Sequence, residues 1–148
     1  MDNMKTYTVK VDKDGSKQWY RYGKFHREDG PAVECANGTK YWYQDGNLHR
    51  EDGPAIECAN GTKSWYLNGN LHREDGPACE WADGTKEWYR NGKLHREDGP
   101  ACEWANGDKA WYLDGKRFTK AEFMTRKKTC NGKVVTIDGK QYRLTEVK

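Results

Sequence analysis

Polar and apolar positions along this chain repeat with a period of 23 residues. His26, His49, His72 and His95 each open the string His-Arg-Glu-Asp-Gly-Pro-Ala. Trp19, Trp42, Trp65, Trp88 and Trp111 share that spacing, each followed by a tyrosine (Tyr20, Tyr43, Tyr66, Tyr89, Tyr112). Four units span Gly23 to Asp114, and Gly15, Ser16, Lys17, Trp19 and Tyr20 of a half-unit fall on the same positions ahead of them. Within a unit, Val33 and Cys35 alternate with Glu34, the period-two signature of a half-buried strand. The six residues from Thr39 to Gln44 have the length of a second short strand.

Turn dipeptides punctuate the pattern in two registers. Asn37-Gly38, Asn60-Gly61, Asp83-Gly84 and Asn106-Gly107 form one, and Asp45-Gly46, Asn68-Gly69, Asn91-Gly92 and Asp114-Gly115 the other. An Asn or Asp followed by Gly meets the two positive φ angles of a type I′ hairpin turn, so type I′ turns are expected in both. Pro31, Pro54, Pro77 and Pro100 follow the glycine of a further turn, where a missing N–H does no harm to a ladder. No helix of useful length fits between turns this close. The expected fold is all-β, an elongated meander of stacked hairpin repeats.

After the repeats the pattern changes. Thr119-Lys-Ala-Glu122 has the spacing of a capping box, and Phe118, Phe123 and Met124 offer a short helix an apolar face. Val134 to Ile137, Asp138-Gly139 and Gln141 to Leu144 predict a final hairpin. Residues 1–22 are therefore taken as a degenerate capping half-repeat, 23–114 as the array, and 115–148 as a basic C-terminal cap, since terminal repeats need a polar seal.

The stretch Trp-Tyr-x-Asn-Gly-Lys-Leu-His, clearest at Trp88 to His95, resembles the MORN repeat family and its bacterial and phage variants. The resemblance covers roughly Trp19 to Gly115 and implies an elongated, curved sheet of stacked hairpins. Two features depart from it. The family's Tyr-x-Gly-x-Trp strand lacks its glycine here, and Arg-Glu-Asp-Gly-Pro-Ala replaces the Gly-x-Gly turn. Phospholipid binding, attributed to some family members, is not carried over. The seven-residue string resembles repeat proteins of tailed phages, which implies a phage-borne protein acting in the host cytoplasm.

Composition narrows the chemistry. Val, Ile, Leu and Phe together make only 17 of 148 residues, whereas there are seven Trp and nine Tyr. Large aromatics are what a thin sheet must use to bury area, at about 25 cal/mol per Å². The five cysteines, an odd count, disfavour a closed disulfide framework. Adjacent strands lie about 4.8 Å apart, so with two strands per unit equivalent positions recur about 10 Å or more away. Neighbouring cysteines of the array then cannot pair, and two histidines of neighbouring units cannot share a metal. Cys79 and Cys102, at the positions of Val33 and Ile56, are expected as small core residues. No apolar run approaches the length of a membrane helix.

Net charge is +3, divided as +2 for residues 1–22, −6 for the array and +7 for 115–148. An acidic array repels nucleic-acid phosphates and anionic lipid, so it is not a DNA clamp. His26, His49, His72 and His95, Arg27, Arg50, Arg73 and Arg96, and Asp29, Asp52, Asp75 and Asp98 superficially resemble an acid–base set. Catalysis requires one constellation with differentiated roles, and this set recurs four times. The expectation is a structural ladder, with each Arg reaching a nearby carboxylate and each Asp accepting from turn amides. No catalytic residue, metal or cofactor is assigned, and the chain is not expected to be an enzyme.

Consecutive Trp and Tyr point to opposite faces of a strand, so one stripe lines the core and the other serves contact. Trp42, Trp65, Trp81, Trp88, Trp104 and Trp111, with Arg126, Lys127 and Lys128, form the candidate partner surface. The repeat breaks where Cys35 and Cys58 become Trp81 and Trp104, and where Tyr41 is replaced by Ser64, Glu87 and Ala110, which fits end-of-array packing against the C-terminal segment or, alternatively, a ligand or partner surface. The leading expectation is a non-catalytic binding protein that engages a host protein and inhibits or redirects it, as counter-defence factors do. Two alternatives stay open. One is sequestration of a small nucleotide between Trp81, Trp104 and the 126–128 cluster, and the other is a structural virion role. Terminal strand edges also make a homo-oligomer an expectation.

Overall fold

The computed structural model describes residues 6–130, 134–137 and 140–143. It begins with the antiparallel pair β1 (Thr8–Val11) and β2 (Lys17–Arg21), and β3 (Lys24–Phe25) folds back on β2. The first unit adds β4 (Val33–Glu34), β5 (Lys40–Tyr41), β6 (Tyr43–Gln44) and β7 (Asn47–Leu48). The second adds β8 (Ile56–Glu57), β9 (Lys63–Ser64), β10 (Tyr66–Leu67) and β11 (Asn70–Leu71). The third adds β12 (Cys79–Glu80), β13 (Lys86–Glu87), β14 (Tyr89–Arg90) and β15 (Lys93–Leu94). The last repeats are β16 (Cys102–Glu103), β17 (Lys109–Leu113) and β18 (Lys116–Phe118). Helix α1 (Lys120–Cys130) and the hairpin of β19 (Val134–Ile137) and β20 (Lys140–Arg143) follow.

The fold is the all-β hairpin meander that the period implies. One sheet runs β1-β2-β4-β5-β8-β9-β12-β13-β16-β17-β18, with all neighbours antiparallel. β6–β7, β10–β11 and β14–β15 form separate two-stranded hairpins. The run Thr39 to Gln44 is two strands rather than one, and it divides at the tryptophan. Trp42 N donates to Ala55 O at 2.8 Å, while Trp42 O accepts from His49 N at 3.0 Å. The chain thus leaves the main ladder at Trp42 and enters the side hairpin. Ala32, Ala55, Ala78 and Ala101, which receive these Trp N–H bonds, have no exposed surface.

The two turn registers differ, which corrects the expectation of type I′ turns in both. Asp45 (φ 49°) and Gly46 (φ 86°) have the paired positive angles of a type I′ turn, as do the equivalent dipeptides and Tyr22-Gly23. In the other register only the glycine is positive, for example Gly38 at φ 90°. There Gly38 N bonds Cys35 O at 2.9 Å, and Cys35 N bonds Thr39 O at 2.8 Å. That is a three-residue loop, a type I turn closed by a glycine bulge. Asn37 fits it because its Oδ1 accepts from Thr39 N at 2.9 Å, a local bond that replaces positive φ as the reason for Asn.

The same loop forms at Asp12 to Ser16, where Ser16 replaces threonine. Ser16, Thr39, Thr62 and Thr85 then accept the amide of Ala36, Ala59, Ala82 and Ala105 in the following unit, at 3.0–3.2 Å. At the other end, Glu122 Oε2 accepts from Thr119 N at 2.8 Å, and Thr119 Oγ1 accepts from Glu122 N at 3.2 Å. This capping box starts α1, which packs on β17 and β18 through the buried Phe123. Met124, expected on the apolar face, is exposed. The turn at Asp138-Gly139 and Leu144 lie outside the described residues.

Candidate functional site

Alternation along the strands gives the sheet two unlike faces. On the first, directly opposed residues run Lys17, Glu34, Lys40, Glu57, Lys63, Glu80, Lys86, Glu103, Lys109, an unbroken alternation of charge. Opposite charges on facing strands are the favourable arrangement. Tryptophans of the repeat stand on this side under arginines. Arg27 lies 4.1 Å over the Trp19 ring, Arg50 4.1 Å over Trp42, Arg73 4.0 Å over Trp65 and Arg96 4.0 Å over Trp88.

The seven-residue string is the cradle for that arginine. Arg73 Nε donates to Asp75 at 2.9 Å, and its Nη1 donates to Pro77 O at 3.2 Å and to Glu80 at 3.0 Å. Gly76 leaves room for the guanidinium, since a Cβ there would stand 3.0 Å from its central carbon. Arg27, Arg50 and Arg96 repeat the set. Each Asp accepts from its Arg, the carboxylate contact expected of the ladder. The Arg beside them holds Asp29, Asp52 and Asp75 below the ordinary carboxylate range.

Each histidine ties its unit to the next type I′ turn. His26 Nδ1 accepts from Asp45 N at 3.0 Å, and His49, His72 and His95 meet Asn68, Asn91 and Asp114 at 3.1–3.2 Å. The four rings repeat this bond, and His95 Nε2 also meets Glu97 at 3.2 Å. Clefts of about 660 and 690 Å³ open between successive strings, walled by Trp88 and Arg96 in one and Trp65 and Arg73 in the other.

The second face is mostly apolar, and its centre differs from unit to unit. Its central column runs Val33, Tyr41, Ile56, Ser64, Cys79, Glu87, Cys102, Ala110. Tyr43, Tyr66 and Tyr89 line it on one side, paired with Leu48, Leu71 and Leu94. Tyr20, Phe25 and Tyr43 continue this cluster toward the N-terminus, at centroid distances of 4.7 and 5.2 Å. Burial raises the Tyr43 and Tyr66 hydroxyls and pushes Tyr89 up to about 12. It also pushes the Cys79 and Cys102 thiols up to about 11; these residues are 4% and 2% exposed. Cys35, Cys58, Cys79 and Cys102 are free thiols.

Of the candidate partner surface, Trp42, Trp65 and Trp88 stand under guanidinium groups. Trp111 lacks that cover because Thr119 occupies the arginine position. It lines a cavity of about 350 Å³ with Arg117, Phe118 and Lys120. Trp81 and Trp104 are the indoles left open, at 47% and 39% exposure, and both border the tyrosine side of the sheet. The cavity beside Trp104 is walled by Asp83, Thr85, Ala105, Asn106 and Asp108, with no cation among them. Arg126 stacks on Phe118 at 4.8 Å, and the side chains of Lys127 and Lys128 lie outside the described residues.

Glu87, absent from the candidate surface read from sequence, sits in the middle of this face. Directly opposite Cys79 and Cys102, it accepts from Trp81 Nε1 at 3.3 Å. The signal that could have found it was available. Period-two facing puts position 87 on the side of Cys79, in the column where the units differ.

No protein-family model and no curated protein matches the sequence. Among the described residues no helix is long and apolar enough to cross a membrane.

Proposed function

We propose that this protein is a non-catalytic recognition module that binds a partner protein through its tyrosine face. One observation carries the reading. The Trp–Arg–Glu side is the same in every unit, whereas the central column of the tyrosine side, beside its repeated Tyr–Leu pairs, changes from unit to unit and is left half open. A face needed only to hold neighbouring repeats together has no reason to vary. A face that matches the irregular surface of another protein does, and open aromatic side chains are what such surfaces use. The resemblance of the repeat string to phage-borne proteins makes a host protein, held in the cytoplasm so that it is inhibited or redirected, the proposed partner.

Capture from host lysate with tagged wild-type chain and with a Trp81→Ala/Trp104→Ala variant tests this. The expected result is a protein retained at fixed stoichiometry by the wild type and lost with the variant. Retention that survives this change and disappears on substituting Glu51 and Glu74, on the loop edge, would overturn the reading.

A further inference from the structure

The tyrosine face has one charged residue in its central column. Glu87 stands between Cys79 and Cys102, with Tyr89 two residues along the same run. Val33 and Ile56 in the first two units give way to these smaller cysteines, while Cys35 and Cys58 at the turn edge give way to Trp81 and Trp104. The substitutions lower the floor and raise the wall. Trp81 N bonds Thr85 O at 2.9 Å, and Ala105 N bonds Thr85 Oγ1 at 3.2 Å, so both indoles border the strand run that carries Glu87. A carboxylate oxygen of Glu87 holds the Trp81 indole N–H. No Lys or Arg among the described residues forms an ion pair with Glu87. Arg117 is the cation that acts on the neighbouring Cys102 thiol.

The opposite face shows what completes such a set. There, four times, a tryptophan ring and a carboxylate hold a guanidinium between them, as Trp88 and Glu103 hold Arg96 at 4.0 and 3.2 Å. Unit three presents a tryptophan and a carboxylate again on the tyrosine face, Trp81 bonded to Glu87, with Trp104 of unit four on the far side of Thr85 and without the arginine. We infer that this cup takes an arginine side chain from the partner protein, its guanidinium against Glu87 and flanked by Trp81 and Trp104. Arginine suits the cup better than lysine, because its planar fork can bond a carboxylate edge while its face stacks on an indole. The acidic array around the cup, at −6, favours approach of a basic segment. This inference rests on the tyrosine face being the recognition surface.

The test is an NMR titration of the ¹⁵N-labelled full chain with N-acetyl-arginine amide. N-acetyl-citrulline amide serves as the neutral isostere. The expected result is a saturable shift of the Trp81 and Trp104 indole resonances with arginine and none with citrulline. Glu87→Gln should weaken binding roughly tenfold or more, the worth of a bond to a charged group. Its spectrum should otherwise match the wild type, and Glu87→Asp should retain part of the affinity. Equal shifts with citrulline, shifts unchanged in Glu87→Gln, or no shift at all would overturn the inference. So would indole shifts on diluting the protein alone, which would mean that a second copy fills the cup. A response that appears only in Arg117→Gln would mean that the chain's own arginine fills it. If the titration fails while Trp81→Ala/Trp104→Ala still abolishes capture, the recognition face stands and only the arginine is wrong.

Discussion

The two faces of this sheet are built from the same strands and differ in what varies. On the arginine face, Trp65, Arg73, Asp75, Pro77 and Glu80 make one closed hydrogen-bonded and stacked group, and every unit copies it. On the tyrosine face, the position before the shared tryptophan reads Tyr41, Ser64, Glu87 and Ala110, a different side chain in each unit. The lesson is a division of labour within a single layer. Charge and stacked indoles tie the repeats together on one side, while the centre of the other side varies along the array.

The comparison is broken most severely by emptying the arginine face. Trp65→Ala removes the platform under Arg73 from a half-buried site and should cost about 3 kcal/mol in chemical denaturation, the low end for such truncations. Arg73→Met keeps much of the stem but loses the ring contact and three hydrogen bonds. About 2 kcal/mol is expected, because Asp75 is exposed and its bond is screened. Thr62→Val leaves Ala82 N without its acceptor and should cost about 1 kcal/mol.

Acid sharpens the same point. Asp29, Asp52 and Asp75 titrate below their unfolded values when folded, so their contribution is present above the unfolded pKa of about 3.9 and is lost as pH falls through the folded values. Asp75→Asn should therefore lower the urea midpoint at neutral pH and narrow its gap from the wild type below about pH 4. The smallest effect belongs to the other face. Glu87→Gln, at a carboxylate whose one side-chain hydrogen bond among the described residues is to Trp81 Nε1, should change stability by less than about 0.5 kcal/mol while changing what the surface binds. Thiol labelling separates the two halves of that face, since the half-buried Cys35 and Cys58 should react before the buried Cys79 and Cys102.

Much of this architecture was legible in the sequence, because a 23-residue period with turn dipeptides leaves little besides a hairpin meander. The capping box at Thr119 and the buried positions of Cys79 and Cys102 were legible for similar local reasons. Two things were not. Asn37-Gly38 and Asp45-Gly46 look alike as dipeptides, and only the loop length between closing bonds separates a bulged type I turn from a type I′ turn. The role of the repeated tryptophans was hidden too. Trp42, Trp65 and Trp88 read as contact residues until Arg50, Arg73 and Arg96 are seen to cover them, a pairing of residues eight apart that strand alternation does not suggest. Glu87 was visible as a variable position, but its meaning depends on its neighbours across two strands.

The most direct measurement uses adjacent residues on opposite faces. Lys86→Gln and Glu87→Gln each remove one charge from the same strand, and partner capture is compared between them at matched stability. Lys86→Gln should retain the partner and Glu87→Gln should lose most of it. Loss with Lys86→Gln and retention with Glu87→Gln would place recognition on the arginine face and contradict recognition by the tyrosine face.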